Sequence, residues 1–225
     1  MVKNITKKFG ELIAVDNVSF NVKRGECVGI IGPNGAGKTT LFNIISGFLK
    51  PDSGKIEFNG VNITKKRPCT IAKLGLIRTF QLIRVFKNLT VKENLLIVDS
   101  DYKEILEATD LWDKRNYVAG KLSQGELRRL SIAIALAAKP KLLMLDEPFS
   151  GLDPVEGKKL SDIIKSLNDN GTTLIIIEHK LKELFEIVRR VLVLNFGKII
   201  FEGSPSDVKS SREVINAYLG VSNVA

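Results

Sequence analysis

Two cysteines and a single histidine in 225 residues leave little material for several kinds of protein. A disulfide-stapled secreted scaffold is excluded, and Cys27 opens the apolar run CVGII, where a free thiol packs as a small hydrophobe. A reducing compartment is expected. No apolar stretch approaches the ~18 residues needed to cross a bilayer, and MVKNITKKFG has no apolar core after its first positive charges. The chain is therefore expected to be neither secreted nor membrane-spanning. Internal repeats and low-complexity tracts are also lacking. Lys and Arg are in excess, giving a net charge of +9, which suits nucleic acid, a phosphorylated ligand or an acidic membrane surface. They are scattered, as in Lys65, Lys66, Arg128, Arg129, Arg189 and Arg190, without the interleaved aromatic ladder of a single-strand binder, so nucleic acid is the less favoured partner.

What is present is the mixture of an ordinary globular protein, 44% hydrophobic and 26% charged. The first fifty residues alternate β-like runs (VKNIT, IAVDNVSFNV) with a turn, then give the strand CVGII, a glycine-rich loop and the helical segment KTTLFNIISGFL. SGKIEFNGVNI predicts a hairpin at Asn59-Gly60, since that dipeptide tolerates the positive φ of a tight turn. A short helix (PCTIAKL), a strand (GLIRTF) and a helix capped by Thr90, with Glu93 three residues on, follow. Residues 101 to 117 place Ile105, Leu106, Thr109 and Leu111 near helical spacing and predict an amphipathic helical insert. The helix LSQGELRRLSIAIALAA ends before Pro140, which pushes Lys139 out of helical geometry. Apolar strands (KLLMLDEP, TTLIIIE, RVLVLN, KIIFEG) then alternate with helices (PVEGKKLSDIIKSLNDN, KLKELFEIV, REVINAYLG). That alternation predicts an α/β fold with a mainly parallel sheet, interrupted by the 68 to 120 block as a helical subdomain.

Gly32, Pro33, Asn34, Gly35, Ala36, Gly37, Lys38 and Thr39 match G-x-x-x-x-G-K-[ST] between a strand and a helix. Glycines let successive N–H groups curl round an anion, and the helix N-terminus adds its positive dipole end. Lys38 would neutralise β- and γ-phosphates, and the Thr39 hydroxyl would take a place on Mg²⁺. LLMLDEP delivers Asp146 and Glu147 at the C-terminal end of a strand, the edge of an open α/β sheet where ligands bind. Asp146 fits a Mg²⁺-holding acid and Glu147 a residue that orients or deprotonates the attacking water. On its own the pair reads equally well as a solvated helix start; the phosphate loop tips the balance. LSQGE (122–126) is a second anion-ready helix N-terminus, although Ser before a helix is usually a cap.

The ordered set of these elements resembles the ATP-binding subunits of ABC transporters over almost the whole chain, with Gln81 in RTFQ, the signature Ser123, Gln124, Gly125 and Glu126, Asp153 after the acidic strand, and His179 closing TTLIIIEH. Gln124 and Glu126 stand where the family more generally has Gly and Gln. Within the superfamily, GLIRTFQLIRVFKNLTVKENLL, VLNFGKIIFEGSPSDV and VINAYLG are similar to the branched-chain amino acid importer ATPases.

The resemblance implies a phosphate-loop NTPase core with an N-terminal antiparallel β subdomain and an inserted helical subdomain. Residues 1–67 and 140–225 would form the core, and 68–139 the coupling strand and signature subdomain. It implies ATP bound by the loop through Thr40, with Phe9 stacked on adenine, although Phe in a strand is usually core. Glu147, His179 and Gln81 would be catalytic; Mg²⁺ would be held by Thr39, Asp146 and Gln81. Otherwise a lone histidine reads as structural and Gln81 as a surface amide. The signature residues would act on the ATP of a second ATPase subunit, with Asp153 in the interface loop. Integral membrane permease subunits, and indirectly a substrate-binding protein, would be the other partners, at the cytoplasmic face of the membrane. Competing readings are an ABC ATPase exporting lipid or lipopolysaccharide, a soluble one acting on nucleic acid or ribosomes, and a nucleotide-binding module without catalysis.

Overall fold

The computed structural model describes residues 1–99 and 101–219. Strands β1 (Val2–Phe9) and β2 (Leu12–Phe20) form a hairpin, the chain then supplies β3 (Cys27–Ile31) and α1 (Lys38–Ile45), and β4 (Ser53–Phe58) and β5 (Val61–Asn62) return to complete an antiparallel sheet in the order β2-β1-β4-β5. Asn59 and Gly60, with φ of +48° and +78°, make the expected tight turn. Next come α2 (Pro68–Lys73), β6 (Leu76–Arg78), α3 (Val91–Leu96), α4 (Lys103–Ala108) and α5 (Gln124–Ala137). The rest alternates: β7 (Leu142–Asp146), α6 (Pro154–Asp169), β8 (Thr173–Ile177), α7 (Leu181–Phe185), β9 (Arg190–Asn195), β10 (Lys198–Gly203), α8 (Pro205–Ser210) and α9 (Arg212–Leu219). The second sheet has the order β10-β9-β3-β8-β7-β6 and is parallel apart from β10, which runs antiparallel to β9.

Both faces of this sheet are covered at its centre, which explains why β3, β7, β8 and β9 carry continuous apolar runs rather than alternating ones. Val28 and Ile30 of β3, Met144 of β7, Ile175 and Ile177 of β8 and Leu192 and Leu194 of β9 point to a core shared with the antiparallel sheet and α1. Their neighbours Cys27, Ile31, Leu143, Leu145, Leu174, Ile176, Val191 and Val193 point to the opposite core, against α6, α7, α8 and α9. Burial there pushes the Cys27 thiol up to about 12, so it is an inert packing group. A third core joins Val91 and Leu95 of α3, Leu106 of α4, and Leu111. Helix α5 serves two cores at once: Leu130 and Ala133 face the third, Ile132 and Ala135 the second. The i, i+3 spacing on two stripes makes it the structural link between the helical block and the sheet.

Three elements differ from expectation. Helix α4 stops at Ala108 instead of running on through the insert. Asp110 takes φ +54°, its N–H donates to Glu107 O, and Leu111 N–H donates to Leu106 O at 2.7 Å. This is a Schellman end, and Leu106 and Leu111 are its hydrophobic contact, so the apolar spacing that suggested a continuing helix belongs to its stop signal. A 3₁₀ turn at Trp112–Lys114 follows. Helix α8 was not expected; Ser204 caps it, Pro205 opens it and Asp207 completes a capping box. Helix α7 spans only Leu181–Phe185. Gly220, placed by expectation at the end of α9, lies outside the described residues.

Candidate active site

Adjacent strands β3, β8, β7 and β6 end on the same edge of the parallel sheet, and each delivers one chemical element there. β3 feeds the glycine-rich loop, β8 is followed by His179, β7 ends in Asp146 and Glu147, and β6 leads to Gln81. This edge is where an open α/β sheet binds ligands.

The loop's shape depends on its glycines. Gly32, Gly35 and Gly37 have φ of +152°, +80° and +101°. A Cβ at Gly32 would lie 2.1 Å from Leu194 O, and one at Gly37 would lie 2.2 Å from Ala14 O. These positions admit only glycine, and Gly37 directly precedes α1, whose first turn carries no acidic residue to compete for an anion. Lys38 is buried, and its Nζ donates to Gly32 O at 2.7 Å and Pro33 O at 2.9 Å. Burial lowers its pKa, against the opposing negative fields of Glu147 and Asp146. Asn34, Gly35 and Thr39 are exposed along the loop, Ala36 is packed beneath it, and Thr40 is half-buried in the first turn of α1.

Glu147 is the centre of a three-residue cluster. Gln81 Nε2 donates to its Oε2 at 2.7 Å, and His179 Nε2 lies 3.0 Å from its Oε1. The residue itself has φ +48°, a left-handed backbone uncommon for a side chain of this size, and its N–H donates to Ile177 O at 2.9 Å. Three residues distant in sequence are thus within hydrogen-bond reach of one another through Glu147, with Gln81 and His179 both exposed at the sheet edge. The donors available to a cation here, the Thr39 hydroxyl and the Asp146 carboxylate, are hard oxygens that suit Mg²⁺ alongside phosphate oxygens.

Arg78 holds this edge together, and the sequence reading passed over it. From β6 its Nη2 donates to Asp146 Oδ2 at 2.7 Å, while Nη1 donates to Asn43 Oδ1 at 2.7 Å and Ser46 Oγ at 3.1 Å on α1. Its guanidinium lies 5.3 Å from the Phe42 ring and 5.1 Å from the Phe80 ring, and its side chain is 5% exposed. The available signal was an arginine inside a short apolar strand preceding Gln81. Replacement by methionine leaves the buried Asp146 carboxylate without its partner, for an expected loss of about 3–5 kcal/mol. Urea unfolding of Arg78→Met measures it, and a loss under about 1 kcal/mol would show the pair to be dispensable. Tyr218 of α9, 38% exposed overall, has its hydroxyl pushed up to about 12 by partial burial, against the opposing effect of the Gly32 backbone beside it.

Phe9 is 50% exposed at the end of β1, so it is not core; it lies at the tip of the hairpin whose Ala14 abuts Gly37. The signature residues are elsewhere. Ser123 caps α5, accepting from Glu126 N, while Glu126 Oε2 accepts from Ser123 N at 2.8 Å. Burial raises the Glu126 pKa, but ion pairing with Lys114 and the Ser123 N–H holds it below the usual value. The Glu126 that departs from the family pattern therefore completes a capping box. Gln124 opens the helix, and Gly125 is closely approached by the Glu156 side chain, whose Oε2 would lie 2.1 Å from a Cβ there and would have to move aside for a larger residue. Asp153 caps α6, accepting from Val155 N and Glu156 N. Among the described residues, no hydrogen bond links Ser123, Gln124, Gly125 or Glu126 to the chain's own phosphate loop.

The chain is similar to known proteins along its whole length. Residues 15–150 match the family described as ABC transporter, and 198–222 match the one described as branched-chain amino acid ATP-binding cassette transporter. The high-affinity branched-chain amino acid transport ATP-binding protein LivG of Salmonella typhimurium is 37% identical over 246 residues, covering 97% of this chain and 96% of that protein. The crystal structure of the ADP conformation of MJ1267, an ATP-binding cassette of an ABC transporter, superposes with a TM-score of 0.90 at 35% identity, covering 97% of both chains. The dimeric post-hydrolysis structure of the cassette MJ0796 bound to ADP and phosphate superposes with a TM-score of 0.77 at 30% identity, covering 91% of this chain and 97% of that one.

Proposed function

The chain belongs to the ABC transporter family as an ATP-hydrolysing subunit, and from that premise we propose that it powers the import of branched-chain amino acids from the cytoplasmic face of the membrane. The observation that carries the cargo is the match of residues 198–222 to a family defined by branched-chain amino acid transport. No helix among the described residues is long and apolar enough to cross a membrane, so permease subunits would supply the path and this chain the energy.

In this reading the exposed Phe9 ring stacks on adenine, while the Gly32 to Thr40 loop, through its N–H groups other than at Pro33, and the Lys38 ammonium bind the phosphates. The Thr39 hydroxyl and Asp146 would hold Mg²⁺, with Gln81 contributing, partly through water, and the ion held there would supply positive charge against the charge that develops on the phosphates. Glu147 orients the attacking water and takes its proton, and Gln81 and His179 hold that carboxylate in place. His179 also reaches the γ-phosphate. The ATP site is completed by a second ATPase subunit, the same chain or a similar one. That chain's Ser123, Gln124, Gly125 and Glu126 would face the nucleotide, where the Ser123 hydroxyl, an acceptor within its own cap, keeps its hydrogen to donate. Asp153 lies in the loop between the two chains. Residues 1–67 and 140–225 act as the nucleotide-binding core, and 68–139 as the coupling and signature block.

The test is to tag the chain in its native host, solubilise membranes gently and identify what co-purifies. Polytopic membrane proteins with an amino-acid-binding protein are the expected result. Recovery of ribosomes, DNA or only soluble proteins would overturn the transport reading and leave the ATPase site standing.

A further inference from the structure

Arg128 is 4% exposed on α5, two residues beyond the capping box, and its contacts serve neither the helix nor an ion pair. Nη1 donates to Gln81 O at 2.9 Å and Nη2 to Ser150 O at 3.3 Å, while Nε is buried without a hydrogen-bond partner. Burial lowers its pKa; Glu178, Glu147 and Asp146 act against that across space. A buried guanidinium held by backbone carbonyls and left with an unmade bond is an expensive arrangement.

Glu178 mirrors it. The side chain is 1% exposed, its Oε1 accepts from Phe149 N at 2.7 Å, and its Oε2 accepts from His179 N at 2.7 Å and Lys180 N at 3.0 Å. Lys180 Nζ closes the far side on Leu152 O at 2.7 Å. The cation therefore grips the backbone of Gln81 and of Ser150, and the anion grips the backbone of Phe149 and of His179. The two residues whose side chains meet the Glu147 carboxylate, Gln81 and His179, are both held at their main chain by this pair. The intervening segment, Phe149 and Ser150, is held by both members.

We propose that Arg128 and Glu178 are positioning residues that act as one clamp, setting Gln81 and His179 around Glu147 and making that geometry depend on where α5 sits. The inference rests on the hydrolytic role given to Glu147 above. Neither side chain touches the glycine-rich loop or Lys38, the principal phosphate-binding groups, so the clamp acts mainly on turnover and only weakly on ATP affinity, through the γ-phosphate and Mg²⁺ contacts of His179 and Gln81. A misplacement of about 1 Å in a catalytic group costs on the order of a hundredfold in rate. Gln at 178 keeps the shape but presents an amide donor to one of the two sets of N–H groups. Lys at 128 keeps the charge but reaches one carbonyl instead of two.

The full-length chain with ATP and Mg²⁺ tests this through Arg128→Gln, Arg128→Lys and Glu178→Gln, each measured for kcat, KM, equilibrium ATP affinity and backbone hydrogen exchange. The expected result is a kcat about 10- to 100-fold lower for Arg128→Gln and Glu178→Gln, with ATP affinity within about threefold, and a smaller loss for Arg128→Lys. Faster exchange should be confined to residues 81–82, 149–150 and 178–180. Turnover within twofold of the unaltered chain, affinity falling in step with kcat, or faster exchange spread along α5 and the sheet would each overturn the clamp. If the unaltered chain itself fails to hydrolyse ATP, the hydrolytic reading fails, and the exchange pattern still decides whether these two residues hold the loops.

Discussion

Glu147→Gln is expected to lower ATP turnover about a thousandfold and to leave ATP affinity within about twofold of the unaltered chain. The substitution is nearly isosteric, so it keeps the φ +48° backbone and the hydrogen bond from Gln81 Nε2, whose acceptor becomes the amide oxygen. What it removes is the ability to accept a proton from water, a step worth typically 10² to 10⁴ in rate. Affinity is insulated because the groups facing the phosphates, Lys38 and the glycine-loop N–H groups, hang on β3 and α1 rather than β7.

The variant also isolates the second subunit's role. With binding intact and turnover absent, a nucleotide sandwiched between two chains has no route to release, so the variant should run as a dimer in ATP and as a monomer without it on size exclusion. A monomeric variant in saturating ATP would remove the partner's signature from the site. A variant retaining turnover within tenfold would remove Glu147 from the role of base and leave His179 as the titratable group in contact with it.

How much of this was legible in the sequence depended on the range of the interactions. The phosphate loop, the strand that delivers Asp146 and Glu147, the Thr90–Glu93 cap and the helix start at Ser123 are local patterns, and each lies where the local pattern placed it. The end of α4 was misread because its stop is an Asp110 in left-handed geometry, with no glycine or asparagine to mark it, and Leu111 after the stop extends the apolar pattern begun by Ile105 and Leu106. Helix α8 was missed although Ser204-Pro205 and Asp207 carry a complete start signal, since its six residues are too few for periodicity to register. Arg78, Arg128 and Glu178 were out of reach for another reason. Each has at least one partner 22 to 68 residues away, such as a carbonyl of Ser150 or a carboxylate on the neighbouring strand, and no spacing rule announces such a contact. Gln81 and His179 became visible through the family resemblance, and their mutual contact with Glu147 only through the fold.

Lys38→Ala should produce the opposite dissection: ATP affinity falls about a hundredfold, and turnover at saturating ATP falls as well, because the same ammonium serves ground state and transition state. Its Nζ now donates to Gly32 O and Pro33 O, two neutral carbonyls on the loop that would face phosphate oxygens. Exchanging them for anionic acceptors strengthens each bond, and hydrogen bonds to charged groups are worth about 1.5–3 kcal/mol. A loss of about 2.7 kcal/mol corresponds to the hundredfold change. The fold tolerates the substitution, since Ala is a good helix former at the start of α1 and the loop's shape is set by the positive φ of Gly32, Gly35 and Gly37. Equilibrium titration with a fluorescent ATP analogue reads the change directly. An affinity within threefold of the unaltered chain would mean that the loop N–H groups and the α1 dipole hold the phosphates unaided, and that Lys38 serves to tie the loop to the Asp146–Glu147 edge.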